Sequence, residues 1–133
     1  MNGRLLILVC AAALGVSAGE PATEPIVATT LASELLSTAP GKRLTLLQLD
    51  VAPGARSAPH RHEGYLFVYV VSGEVRSQIT GDSAPVLYKA GQTFVETPGM
   101  QHTFFENAST SAPARLVITW FADDGATLTQ PLL

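Results

Sequence analysis

Cysteine, histidine and basic runs are all scarce in this sequence. Cys10 is the only cysteine, so no disulfide can form within the chain. Lys and Arg total 8 against 11 Asp plus Glu and nowhere cluster, which removes the electrostatic footprint that nucleic acids and anionic membrane surfaces require. The longest apolar run, Leu5 to Leu14, is ten residues, well short of the roughly 20 that a helix needs to cross a hydrocarbon core. Only three histidines are present, and they fall in two places: His60 with His62, and His102.

The N-terminal residues show a processing pattern. Arg4 supplies a basic start, Leu5 to Leu14 the apolar stretch, and Val16-Ser17-Ala18 a small-x-small site. That order predicts a secretory signal over residues 1–18, cleaved after Ala18, and hence a periplasmic or secreted protein with no membrane association once cleaved. Cleavage would remove Cys10 and Arg4, leaving a chain without thiols whose formal charge moves from −3 to −4. Any metal bound by such a chain must be held by nitrogen and oxygen donors. Residues 19–25, Gly-Glu-Pro-Ala-Thr-Glu-Pro, read as a flexible tether, and residues 26–133 as one folded domain.

That domain is a succession of short β-prone runs separated by turn residues. Strands are expected at Ile26 to Leu31, Leu44 to Val51, Tyr65 to Val71 and Glu74 to Thr80. Others are expected at Ala84 to Lys89, Gln92 to Thr97, His102 to Glu106 and Arg115 to Ala122. Pro-Gly, Ser-Gly, Gly-Asp and Ala-Gly pairs punctuate them. Thr30 to Ser37 is the one segment that could form a short helix. Tyr65 to Val71 is apolar on both parities and is expected to be buried on two sides, whereas Glu74 to Thr80 is more polar and expected nearer solvent. Many short strands with regular turns predict an all-β sandwich or barrel.

On an extended strand His60 and His62 project to one face, because side chains alternate with period 2. Two imidazoles aimed into one space are either part of a site for a divalent transition metal such as Zn, Fe, Mn, Cu or Ni, or hydrogen-bonded core residues of a metal-free barrel. Two glycine-punctuated segments carry the histidines: Gly54-x5-His60-x-His62 with Gly73 further on, and Gly91-x5-Thr97-Pro98-Gly99-x2-His102-x3-Glu106.

In order and spacing these segments resemble the two motifs of the cupin superfamily, and the stretch from Thr93 to Ser109 resembles small exported bacterial cupins. The resemblance implies a single-domain jelly-roll barrel, three histidine ligands at His60, His62 and His102, a small-molecule ligand in the barrel, and often a homodimer. Three departures accompany it. The glutamate ligand of the first motif falls at Leu66 or Phe67, Thr97 stands where the second motif has proline, and Glu106 stands where it has asparagine, with Asn107 adjacent.

A substitute carboxylate is available. Glu96 shares strand parity with Phe94, a natural core residue, so it can point inward beside His102. It is then a fourth ligand, a partner of a ligand histidine or, unligated and buried, an acid/base group; the remaining alternative is a solvent-facing residue at the strand end. By alternation Glu63 and Arg61 face outward. Tyr65, Tyr69, Phe104 and Trp120 read as core, and Met100 and Gln101 as residues placed to line a mouth. Two functions follow: a module that binds metal and a small molecule, or a metal-dependent oxygenase acting on a small organic substrate.

Overall fold

The computed structural model describes residues 25–133; the expected signal segment and most of the tether lie outside the described residues. Ten strands follow in chain order: β1 (Ile26–Leu35), β2 (Lys42–Val51), β3 (His60–His62), β4 (Tyr65–Ser72), β5 (Glu74–Ile79), β6 (Val86–Lys89), β7 (Thr93–Glu96), β8 (Gln101–Asn107), β9 (Ala114–Asp123) and β10 (Thr129–Pro131). They make two five-stranded antiparallel sheets, ordered β1-β2-β9-β4-β7 and β10-β3-β8-β5-β6. The chain passes from one sheet to the other at nearly every turn, which is the jelly-roll pattern. No helix occurs among the described residues. Thr30 to Leu35 continues β1 instead, past an irregularity between Thr30 and Ala32, because pairing with β2 satisfies its backbone along the full strand.

Period-2 alternation builds the core. Leu66, Val68 and Val70 of β4 are buried, as are Leu116 and Ile118 of β9 and Leu47 and Val51 of β2. Removing each such side chain from water contributes about 1.5–3 kcal/mol. Val75 and Ser77 of β5 are also buried, while Arg76 between them is exposed. The two-sided burial expected of β4 does not occur. Tyr65, Phe67, Tyr69 and Val71 are 43–51% exposed, because no further layer of described chain covers the outer face of this sheet. Tyr65 and Tyr69 are therefore surface residues rather than core.

A bulge in β8 sets which residues face inward. Phe104 pairs with Gln78 and His102 with Ile79, so Thr103 is the extra residue and the alternation changes parity across it. His102, Phe105 and Asn107 all point in, and Glu106 points out to Arg76, with Nη1 to Oε1 at 2.9 Å. The buried amide of this strand end is thus Asn107. Its Nδ2 donates to the carbonyls of Val51, Ala52 and Ala112, and its Oδ1 accepts from the Ser109 N–H, tying three segments together.

Two glycines allow close backbone crossings. Gly64 (φ +81°) and Gly73 (φ +76°) both lie against β9, where an added Cβ would fall 2.2 Å from the Phe121 carbonyl oxygen and 2.7 Å from the Pro113 carbonyl oxygen respectively. Gly91 (φ +87°) has open space around the same position. Gly91→Ala is therefore expected to cost only its backbone strain, roughly 1–3 kcal/mol, and Gly64→Ala and Gly73→Ala distinctly more. Denaturant midpoints measure the difference, and equal losses for all three would contradict the crossing argument.

Candidate metal centre

β3 is three residues long, and its period places His60 and His62 on the inner face with exposed Arg61 between them. It is held on both sides, by β8 with His60 opposite His102, and by β10 with His62 opposite Thr129 and His60 opposite Pro131. The His60 and His102 rings stack at 5.3 Å between centroids and 15° between planes. Glu96 comes from the other sheet. It ends β7 directly opposite Leu66 of β4, so its carboxyl reaches across the barrel toward the histidines. A site built this way needs both sheets in register.

Glu96 is 6% exposed, His102 2% and His62 9%. Glu96 Oε2 lies 3.2 Å from His62 Nε2 and 3.2 Å from His102 Nε2. Ligand atoms of these three residues all fall within 4.8 Å of one another. His60 adjoins the group, with its Nε2 at 3.1 Å from His62 Nε2. Of the four sequence-expected residues, the structure gathers His62, Glu96 and His102 most tightly and sets half-buried His60 at their edge.

The outer nitrogens decide the chemistry of the inner ones. His60 Nδ1 lies 2.8 Å from the Ala58 carbonyl and His62 Nδ1 2.7 Å from the Leu128 carbonyl. A carbonyl oxygen only accepts, so each Nδ1 must carry the proton, and in a neutral ring Nε2 is then a bare lone pair. Burial pushes the His62 imidazole below the usual histidine range, against the Glu96 carboxyl and the Leu128 carbonyl, which act the other way. Two bare nitrogens at 3.1 Å share no hydrogen, and a proton or a metal cation between them would satisfy both. Glu96 Oε2 and His102 Nε2 are likewise buried without a hydrogen-bond partner, close to each other but misaligned. Ser77 Oγ stands behind His102 at 3.4 Å from Nδ1.

The donor set fits a divalent transition metal. Donor atoms each about 2.0–2.1 Å from one ion stand roughly 3 Å apart when adjacent, as the 3.1–3.2 Å separations here do. The Nδ1-to-carbonyl bonds are the outer contacts that orient metal-ligating histidines.

Other expectations change in detail. Glu63 is not a solvated surface group: Oε2 accepts from the Thr127 N–H and Oε1 from Gln130 Nε2, clasping the segment that carries Leu128 and β10. Phe104 supports the Arg56 guanidinium, 4.0 Å above its ring, and Trp120 is half-buried with its indole N–H donating to the Glu63 carbonyl. Met100 and Gln101 do not line the barrel cavity. The residues missed from sequence are Ala58 and Leu128, which act through backbone carbonyls and so carry no side-chain signature. The alternating Thr127-Leu-Thr-Gln130 stretch was the one available sign of β10.

A cupin-domain family model matches residues 47–120. No curated protein matches the chain. Among solved structures, an uncharacterised protein with a double-stranded β-helix domain from Klebsiella pneumoniae is 21% identical, with a TM-score of 0.62 over 84% of this chain and 90% of that one. A polyketide cyclase from Streptomyces resistomycificus is 17% identical, with a TM-score of 0.62 over 86% of this chain and 76% of that one. An oxalate oxidase in complex with glycolate is 24% identical, with a TM-score of 0.62; 85% of this chain is covered, but only 58% of that longer one. These likenesses concern the fold. With both motifs in place and the family match covering more than half of its length, the chain belongs to the cupin superfamily.

Proposed function

We propose that this chain is an exported cupin that binds one divalent transition metal through His60, His62, His102 and Glu96 and presents it to a small molecule in the barrel. The observation that carries this reading is the convergence of His60 Nε2, His62 Nε2 and Glu96 Oε2 at 3.1–3.2 Å, with a backbone carbonyl oxygen at each of the two Nδ1 atoms. Glu96 supplies the carboxylate missing at Leu66, from the directly opposite position on the neighbouring strand. A bound ion would offer Lewis acidity at an open coordination position.

Protein purified without chelators or a histidine tag is expected to hold about one equivalent of metal by elemental analysis. His60→Ala with His62→Ala should abolish retention, and Glu96→Gln should weaken it. No metal under any loading condition would contradict the proposal, and unchanged affinity in Glu96→Gln would remove that side chain from the ligand set.

One observation favours an enzymatic reading as well. His62, His102 and Glu96 form a two-histidine, one-carboxylate group, the set typical of non-haem iron oxygenases. Stoichiometric iron, copper or manganese in the purified protein would favour an oxygenase, and zinc or nickel a binding role.

Export rests on the pattern of residues 1–18, and intact-mass measurement of the protein recovered from its native compartment is expected to show an N-terminus at Gly19. A full-length mass would contradict cleavage.

The His62 environment also sets a pH dependence. Its folded pKa lies below the ordinary value of 6.5, so below that pH the unfolded chain binds more protons at this residue than the folded one. Metal-free protein is expected to lose stability as pH falls through about 6.5, and His62→Gln should flatten that loss. Unfolding curves with identical pH slopes would contradict the assignment.

A further inference from the structure

The donors occupy only one wall of the barrel cavity, whose volume is about 420 Å³, within the range of pockets that hold small organic molecules. The remainder is apolar, with Leu47, Leu66, Val68, Phe105, Leu116 and Ile118 drawn from both sheets. Outside the four donor residues, the polar side chains in the lining are, among the described residues, Arg56, Ser57 and Thr129. Arg56 is the only lysine or arginine among them, and it is committed at the rim: its guanidinium lies over Phe104, 3.7 Å from the Glu106 carboxylate, and the side chain is 57% exposed. Among the described residues, a ligand reaching the donor wall therefore meets mostly hydrocarbon elsewhere.

We infer that the cavity selects a molecule with a single polar head directed at the donors and an apolar body, a short aliphatic chain or one ring, and that it discriminates against small dianions and polyhydroxylated molecules. This rests on the metal-site reading for the head and on the lining alone for the body. A second carboxylate placed against Leu116 or Val68 would lose its hydration with no cation to replace it. Each hydroxyl of a sugar would need a partner, and the lining beyond the donors offers only Ser57 and Thr129. An aliphatic chain gains affinity instead, about fourfold for each methylene buried.

Calorimetry on zinc-loaded protein, its metal content measured on the same sample, tests the head and body together with glycolate, 2-hydroxybutyrate, 2-hydroxyhexanoate and malonate. Affinity is expected to rise about fourfold per added carbon along the hydroxy acids, with malonate at least tenfold weaker than 2-hydroxyhexanoate. A flat series, or malonate binding as tightly as 2-hydroxyhexanoate, would overturn the inference. Neutral alcohols from 1-propanol to 1-hexanol on chelator-stripped protein test the body alone. Their affinity should also rise with length even if no metal is ever retained, and a flat alcohol series would overturn the apolar chamber itself. Ile118→Thr should reduce the length dependence relative to Ile118→Val, two variants of similar shape. Phe67→Ser, on the exposed outer face of β4, should leave it unchanged. Loss of the length dependence in Phe67→Ser would place binding on that face and overturn the inference.

Discussion

Two imidazole nitrogens 3.1 Å apart, each on a ring whose other nitrogen faces a backbone carbonyl, are the constraint around which the interior of this barrel is arranged. In neutral rings protonated at Nδ1, two bare nitrogens at that distance repel. The arrangement persists only because β3 is clamped by β8 and β10, and because the carbonyls of Ala58 and Leu128 hold the rings by their other nitrogens. Glu96 and His102 add two more polar atoms with no partner of their own. So concentrated a group of buried polar atoms is what the proposed cation would satisfy.

The fold contributes the geometry at a small number of points. The bulge at Thr103 lets His102 and Asn107 face inward from one strand although they are five residues apart. The pairing of Leu66 with Glu96 puts a buried carboxylate on the strand beside β4, level with one of the two positions where the first motif would have its glutamate. Glu63 reaches back to Thr127 and Gln130, and so secures the segment whose carbonyl orients His62. The site is thus stabilised from outside by hydrogen bonds that never touch it.

Much of this was legible in the residues themselves. His60 and His62 share a face by strand alternation, and the parity of Phe94 made an inward Glu96 one of the readings, which its 6% exposure selects. The strand succession and its turns were readable because glycine and proline mark where chains reverse. What could not be read follows from the same physics. Tyr65, Phe67 and Tyr69 look like core by composition, and only the absence of a covering layer exposes them. The carbonyls that fix the imidazole protons belong to Ala58 and Leu128, residues with no chemistry in their side chains. Glu63 appeared solvated because its partners lie more than sixty residues away in sequence.

Nitrogen NMR of the histidine rings reads the placement of these protons directly. In metal-free protein at neutral pH, His60 and His62 are both expected to carry the proton on Nδ1 with Nε2 bare, and titration with zinc should shift the two Nε2 resonances together. A proton on Nε2 of either ring, or Nε2 signals that do not respond to zinc, would contradict the account.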